Sequence, residues 1–227
     1  MIYISIRFDD GHLSQYTIGY NTLKKYNMVG SFYLVTDKIG KSKAWPCQSV
    51  PYINYEQMKE MEQHGNEIGS HSKTHARDWT DQDESIIKYE ICESLYDFRK
   101  NNFFPKTFCF PYTKTSPEAI ELCNKYYKAF LGEYSEERIK KGGIINNFIP
   151  SISTRSGNSK IIDQIVKKQE NDEDEWLVIT IHEIIDNPSV VGITPEDYKS
   201  IIEIINNCVQ VGTHKVVTVY DGFRLFK

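Results

Sequence analysis

The sequence lacks the features that would place it in a membrane or on nucleic acid. No segment reaches the roughly 18 apolar residues that a membrane-spanning helix needs. The chain has no basic cluster and a net charge of −4, so nucleic acid is not an expected partner. Met1 runs directly into a strand-like segment and not into a signal peptide. We therefore expect a cytoplasmic protein without a membrane span.

Cysteine is sparse and shows no motif. The five cysteines are widely spaced, and no two of them form a Cys-x-x-Cys pair. An odd number of scattered cysteines favours reduced, mostly buried thiols over a disulfide framework or a cysteine zinc site.

The length and the order of the elements predict one α/β domain over residues 1–227. The chain is 40% hydrophobic and 26% charged, which is typical of a globular enzyme. A buried strand at Ile2–Phe8 precedes a helix at Ser14–Tyr26, and strands and helices alternate from there to a last strand at Lys215–Tyr220. Residues 37–53 form a long predicted loop. Such alternation indicates a parallel β/α architecture.

Reactive side chains follow the predicted strands. Because catalytic residues of α/β barrels lie at the C-terminal ends of strands, we expect these side chains to meet at one site. They are Asp9, Asp10, His71, Tyr112, Arg155 and His182.

Two histidines and two adjacent carboxylates predict a metal site. On a helical turn, the four-residue spacing of His71 and His75 would bring both imidazoles to one face, with about 5–6 Å between Cβ atoms. Asp9 and Asp10 repel each other unless a cation or a proton intervenes. One carboxylate would bind the metal, and the other would take a proton from water that the metal acidifies. The ligand set favours zinc, with cobalt, nickel or manganese as alternatives.

Two further residues are candidates for contact with a substrate. His182 follows the strand Trp176–Ile181 and is placed to protonate a leaving group, although a structural buried histidine is the alternative. Trp45, in the long loop, is suited to stack on a sugar face or to anchor the loop itself.

Four motifs resemble those of NodB-homology polysaccharide deacetylases, which form carbohydrate esterase family 4. Arg-Phe-Asp-Asp-Gly at 7–11 resembles the first motif, Thr-Phe-Asp-Asp-Gly, and His-Ser-Lys-Thr-His at 71–75 matches the second. Phe-Pro-Tyr at 110–112 and Thr-Ile-His at 180–182 match the third and fifth. The resemblance extends from residue 1 to about residue 220.

The resemblance implies a distorted (β/α)7 barrel that removes acetyl groups from sugars. It implies Asp9 as general base and His182 as general acid, with the backbone N–H of Tyr112 holding the oxyanion. Pro111 and Tyr112 would contact the substrate. The implied metal ligands are Asp10, His71 and His75.

The chain departs from the family pattern in motifs one, three and four. Arg7 stands where the family usually has Thr, and Phe108 and Cys109 occupy the stretch that normally supplies an arginine to orient the base. Arg155 is the predicted substitute, an ordinary surface arginine being the alternative. The Asp-rich fourth motif, which orients the acid histidine, is not recognisable, and Thr113 replaces the glycine after Pro-Tyr.

The expected activity is metal-dependent removal of an acetyl group, in the first instance an N-acetyl group, from an acetylated sugar in a polysaccharide, oligosaccharide or glycoconjugate precursor. One alternative is an amidohydrolase of the same fold that acts on a small non-sugar amide, such as a cyclic ureide. Another is a carbohydrate-binding relative without catalysis, an idea supported by the missing motif-three arginine.

Overall fold

A computed structural model describes residues 1–45, 48–169 and 172–227, with residues 43–45, 48–50 and 156 described by their backbone alone. Eleven strands occur in these ranges. They are β1 (Ile2–Phe8), β2 (Ser31–Leu34), β3 (Ser42–Trp45), β4 (Gln48–Pro51), β5 (Glu67–Ser70), β6 (Thr107–Cys109), β7 (Ala129–Tyr134), β8 (Ile139–Lys140), β9 (Phe148–Ser153), β10 (Glu175–Ile181) and β11 (His214–Val216).

Seven parallel strands close into a barrel. Their order is β1-β2-β5-β6-β7-β9-β10, and β10 pairs back onto β1 along its whole length, from Ile2 beside Glu175 to Phe8 beside Ile181. The short strands β11 and β8 add to the outside of β1 and β10. This closed barrel confirms the predicted (β/α)7 fold.

Helices surround the barrel. The predicted helix Ser14–Tyr26 contains a π-helical segment, Gln15–Tyr20, and a second π-helical segment, Tyr89–Glu93, lies between two short α-helices. The α-helices are α1 (Asn21–Lys25), α2 (Tyr55–Gln63), α3 (Glu84–Lys88), α4 (Ser94–Lys100), α5 (Pro117–Tyr126), α6 (Asn158–Val166), α7 (Pro195–Gln210) and α8 (Val219–Phe226). In the described residues, no helix is both long and apolar enough to cross a bilayer.

Alternation along β1 separates the helix-facing core from the barrel interior. Ile2, Ile4, Ile6 and Phe8 belong to the large apolar core that includes residues of α1, α2, α6 and α7. Because successive strand residues point to opposite faces, the residues between them, including Arg7, point into the barrel. The sequence of β1 therefore places a charged side chain inside the barrel, just below its C-terminal end.

The end of the chain differs from the prediction. The predicted last strand Lys215–Tyr220 is wrong, because β11 ends at Val216 and Thr218 caps a new helix, α8, by accepting a hydrogen bond from the backbone N–H of Asp221 at 3.2 Å. Phe223 and Phe226 of α8 pack against Trp176 in a second core. Thus α8 provides apolar cover for residues of the barrel strands.

The predicted loop over residues 37–53 is also more ordered than expected. It contains the antiparallel pair β3–β4. Beside this hairpin, His12 and Tyr52 form an isolated antiparallel bridge, so the segment lies next to the chain that follows β1.

Candidate active site

A cleft of about 350 Å³ lies at the C-terminal ends of the barrel strands. It brings together side chains that are far apart in the sequence. The predicted site residues that line it are Asp9, Asp10, His71, His75, Tyr112, Arg155 and His182. A larger cavity of about 880 Å³ lies beside Met1 and His214 and contains none of these residues.

A left-handed turn after β1 separates the two adjacent carboxylates. Asp10 and Gly11 have φ angles of +78° and +77°, a conformation that glycine adopts freely and aspartate tolerates better than most residues. The side chain of Asp9 is 3% exposed, whereas that of Asp10 is 14% exposed. The turn therefore gives the two carboxylates different surroundings.

Asp10 faces both histidines. Its Oδ1 atom lies 3.1 Å from Nε2 of His75 and 3.8 Å from Nε2 of His71. This oxygen is buried and has no hydrogen-bond partner among the described residues. Since a buried carboxylate oxygen without a partner is costly, the site suits a cation at this position.

The histidines are suited to bind a metal. Nδ1 of His71 donates a hydrogen bond to the backbone carbonyl of Cys109 at 2.8 Å, which leaves Nε2 free to ligate. Burial lowers the pKa of His71, and burial together with His71 lowers the pKa of His75 to about 3. Both imidazoles are therefore neutral near pH 7, as ligation requires. Together with Asp10, their ligand atoms lie within 4.8 Å of one another and fit a divalent metal.

The segment between the histidines is a loop, so the predicted helical turn is wrong. Ser72 and His75 have φ angles of +66° and +62°, which a helix does not allow. Buried Glu90 accepts hydrogen bonds from the backbone N–H groups of Lys73 and Thr74, at 3.1 and 2.9 Å, and from the Thr74 hydroxyl. Glu90 thus holds the loop that carries both imidazoles.

Arg7 forms a two-point contact with Asp9. Its Nε donates to Oδ1 at 2.8 Å, and one of its terminal nitrogens donates to Oδ2 at 2.5 Å. The other terminal nitrogen donates to the Ser151 hydroxyl at 3.1 Å. Burial alone would raise the pKa of Asp9, but the charged guanidinium of Arg7 holds it below its usual value. Asp9 is therefore a carboxylate at neutral pH.

The predicted contact between Arg155 and Asp9 is replaced by this arrangement. Arg155 is exposed and lines the cleft, and its backbone N–H binds the Ser153 hydroxyl. No hydrogen bond joins its guanidinium to Asp9 in the described part of the chain. Asp9, His71 and Cys109 also lie within 4.8 Å of one another, but both oxygens of Asp9 are bound by Arg7. The Asp10 group is therefore the better metal candidate.

His182 lines the same cleft and lies next to Asp9. Its Nε2 is 3.9 Å from Oδ2 of Asp9, and its buried Nδ1 has no partner among the described residues. The side-chain amide of buried Gln15 donates to the backbone carbonyls of both Asp9 and His182. Gln15 thereby joins the chain after β1 to the chain after β10.

The residues predicted to contact the substrate differ in whether they line the cleft. Tyr112 is 46% exposed, its ring lies 4.6 Å from that of His75, and the guanidinium of Arg77 lies 4.9 Å from its centre. Thr113, with a φ angle of +59°, also lines the cleft, whereas Pro111 is buried and is not among the lining residues. The side chain of Trp45 lies outside the described residues.

Sequence reasoning missed several residues of the site. The motif comparison marks Arg7 only as a departure from the family pattern. Alternation along β1, however, indicates that Arg7 points into the barrel on the same face as Asp9. Tyr134 and Lys38 line the cleft without belonging to any motif. Gln15 and Glu90 are polar residues on helical segments, and nothing in their local sequence distinguishes them from solvent-exposed ones.

The fold and the cleft define a barrel protein with a paired-carboxylate and histidine site at the C-terminal ends of its strands. The sequence model described as "Polysaccharide deacetylase" matches residues 2–129, more than half of the chain. The chain therefore belongs to the polysaccharide deacetylase family.

A curated relative and a solved structure are similar to the chain over different lengths. A Bacillus subtilis (strain 168) protein named "Putative polysaccharide deacetylase YxkH" is 38% identical over 72 residues, which cover 32% of this chain and only 23% of that protein. A family 4 acetyl xylan esterase from Clostridium thermocellum, solved with cobalt, superposes with a TM-score of 0.63 at 19% identity, covering 99% of this chain and 91% of the esterase.

A second solved structure has the same fold. The Xyl-CE4 domain of a multidomain xylanase from the hindgut metagenome of Trinervitermes trinervoides superposes with a TM-score of 0.62 at 17% identity. The match covers 98% of this chain and 89% of that domain.

Proposed function

We propose that this protein is a metal-dependent hydrolase that removes acetyl groups, in the first instance N-acetyl groups, from an acetylated saccharide. The observation that carries the proposal is the buried Oδ1 of Asp10, which faces Nε2 of His71 and of His75 and lacks a hydrogen-bond partner in the described chain. Family membership supplies the reaction class, and the cobalt-containing esterase with the same fold supports a divalent metal.

Asp10, His71 and His75 would hold the metal, and zinc is the first expectation for two imidazoles and one carboxylate. When bound, a metal of this kind polarises a carbonyl oxygen and acidifies water. The three residues leave coordination positions open, as a hydrolytic site requires.

Asp9 is the proposed general base. It is ionised at neutral pH because the charged guanidinium of Arg7 lowers its pKa. The attacking water adds to the acetyl carbonyl carbon while Asp9 takes its proton, and the backbone N–H of Tyr112 donates to the developing oxyanion. The two-point contact with Arg7 fixes the direction of the Asp9 carboxylate.

His182 is the proposed general acid. When the tetrahedral intermediate collapses, the C–N bond breaks and His182 gives a proton to the departing nitrogen, so that the products are acetate and a free amino sugar. Its Nε2 lies 3.9 Å from Oδ2 of Asp9, and both residues line the same cleft. The base and the acid therefore face one substrate position.

The catalytically inactive alternative loses its support. That alternative depended on the missing motif-three arginine, and Arg7 provides Asp9 with a guanidinium from another strand. The small cyclic amide stays a substrate class that the assay has to include.

The proposal is tested by acetate release. Chelator-treated wild type, Asp9→Asn and Asp10→Ala are assayed with added zinc or cobalt on N-acetylglucosamine oligomers, an O-acetylated xylan oligomer and a cyclic ureide. We expect wild type to release acetate and free amine in equal amounts from the N-acetylglucosamine oligomers, and both variants to be inactive, with Asp9→Asn retaining metal. Ring opening of the ureide without any acetate release would instead favour the amidohydrolase.

A further inference from the structure

We infer that Arg7 is the positioning residue of the catalytic base: β1 delivers the guanidinium that other family members carry on motif three, and Cys109 fills the place that this exchange leaves on β6. The inference rests on the proposed function, since it assigns Asp9 the role of base. The departures from the family pattern at positions 7 and 109 are then one linked change.

The position of Arg7 supports a dedicated role. Its side chain is 3% exposed and points into the barrel, where a charged group is costly unless it is fully paired. It donates to both oxygens of Asp9, to the hydroxyl of Ser151 and to the sulfur of Cys109. One guanidinium therefore joins β1, β6 and β9 beneath the cleft.

Ser151 extends this contact to the strand that carries His182. Its hydroxyl oxygen accepts a hydrogen bond from Arg7 at 3.1 Å and another from Thr180 at 2.9 Å. The resulting chain of hydrogen bonds fixes Arg7 from the side opposite Asp9. A two-point contact held in this way leaves the carboxylate little freedom to rotate.

Cys109 occupies the position from which a motif-three arginine would act. Its sulfur lies 2.7 Å from a terminal nitrogen of Arg7 and 3.6 Å from Oδ2 of Asp9. A longer side chain at this position would enter the space that Arg7 fills. Two buried guanidiniums sharing one carboxylate would also repel each other, so the geometry favours one arginine, on β1 or on β6.

The exchange is tested with Arg7→Thr, Cys109→Arg and the double variant R7T/C109R. We expect Arg7→Thr to lower kcat by about 10²–10³-fold while leaving KM and bound metal nearly unchanged, because it disorders the base but spares Asp10, His71 and His75. Cys109→Arg alone should fold poorly. The double variant should recover kcat to within about tenfold of wild type and melt at a higher temperature than Cys109→Arg.

A matched control separates positioning from stability. Arg138 is a second buried arginine, 4% exposed, and contacts Glu175 at 2.6 Å. Arg138→Thr should lower the melting temperature but keep kcat.

If Arg7→Thr does not fold, Arg7→Lys replaces it, because lysine keeps the charge but cannot form the two-point contact. The kcat of Arg7→Lys should fall by about tenfold or more. The inference fails if folded, metal-loaded Arg7→Thr or Arg7→Lys retains wild-type kcat, or if R7T/C109R folds and is no faster than Arg7→Thr.

A crystal structure of R7T/C109R tests this inference independently of the proposed function. If the wild type releases no acetate, the deacetylase proposal fails while the structural question stays open to measurement. A guanidinium at position 109 within about 3.2 Å of both Asp9 oxygens supports the exchange. A guanidinium that points away from Asp9 overturns it.

Discussion

The carboxylates of Asp9 and Asp10 are adjacent in the sequence but face different partners. Both oxygens of Asp9 accept hydrogen bonds from Arg7 inside the barrel, whereas Oδ1 of Asp10 lies 3.1 Å from Nε2 of His75 in the cleft. The left-handed turn at Asp10 and Gly11 produces this division. This division is the basis for proposing Asp9 for proton transfer and Asp10 for metal ligation.

Glu90 should control metal affinity without contacting the metal. It holds the backbone of the loop between His71 and His75 through Lys73 and Thr74. Glu90→Ala removes the acceptor of both backbone N–H groups and of the Thr74 hydroxyl, so the loop should loosen. We expect metal affinity to fall about 10–100-fold, as measured by competition with a chromogenic chelator. Glu93→Ala, an exposed change in the same helical stretch, should leave the affinity unchanged; equal affinities for all three proteins would contradict the role of Glu90.

His75 should make the metal-free protein less stable in mild acid. Its pKa is about 3 in the folded state against about 6.5 in the unfolded state, so below pH 6.5 only the unfolded chain gains the proton. The unfolding free energy should therefore fall by about 2 kcal/mol from pH 7 to pH 5 on account of this histidine. Carboxylates with lowered pKa values titrate below this window.

The contribution of His75 is isolated by comparing wild type with His75→Asn. Urea unfolding of both metal-free proteins at several pH values between 5 and 7 should show a steeper fall in stability for the wild type. Parallel curves would mean that His75 is not kept neutral by the fold.

Gln15 should couple catalysis to barrel closure. Its amide binds the backbone carbonyls of Asp9 and His182, which belong to the chain segments after β1 and β10. Gln15→Leu keeps the side-chain volume similar but leaves the two backbone carbonyls without this donor. We expect a loss of about 1–3 kcal/mol of stability and a lower kcat, because the base and the acid lose their common anchor. A stability change without any change in kcat would assign Gln15 a purely structural role.

The sequence predicts the strand-end residues well because a parallel barrel gathers them whatever their partners. Asp9, Asp10, His71, His75 and His182 all line the cleft. Alternation along β1 puts Arg7 and Asp9 on one face, but the two-point contact between them is seen only in the structure.

Two other errors have simple physical reasons. Val217–Tyr220 is rich in strand-forming residues, yet Thr218 and Asp221 cap a helix there. The loop from His71 to His75 depends on Glu90, a contact that spacing does not reveal. The cytoplasmic location and the single domain over residues 1–227 stay predictions.

The central claim is that Asp10, His71 and His75 form one metal site, and elemental analysis tests it most directly. Wild type and Asp10→Ala are loaded with zinc, dialysed and compared, with Arg138→Thr as a folded control. The account predicts close to one equivalent of zinc in wild type and control and almost none in Asp10→Ala. Wild-type protein that binds no zinc, or Asp10→Ala that binds as much as the wild type, would contradict it.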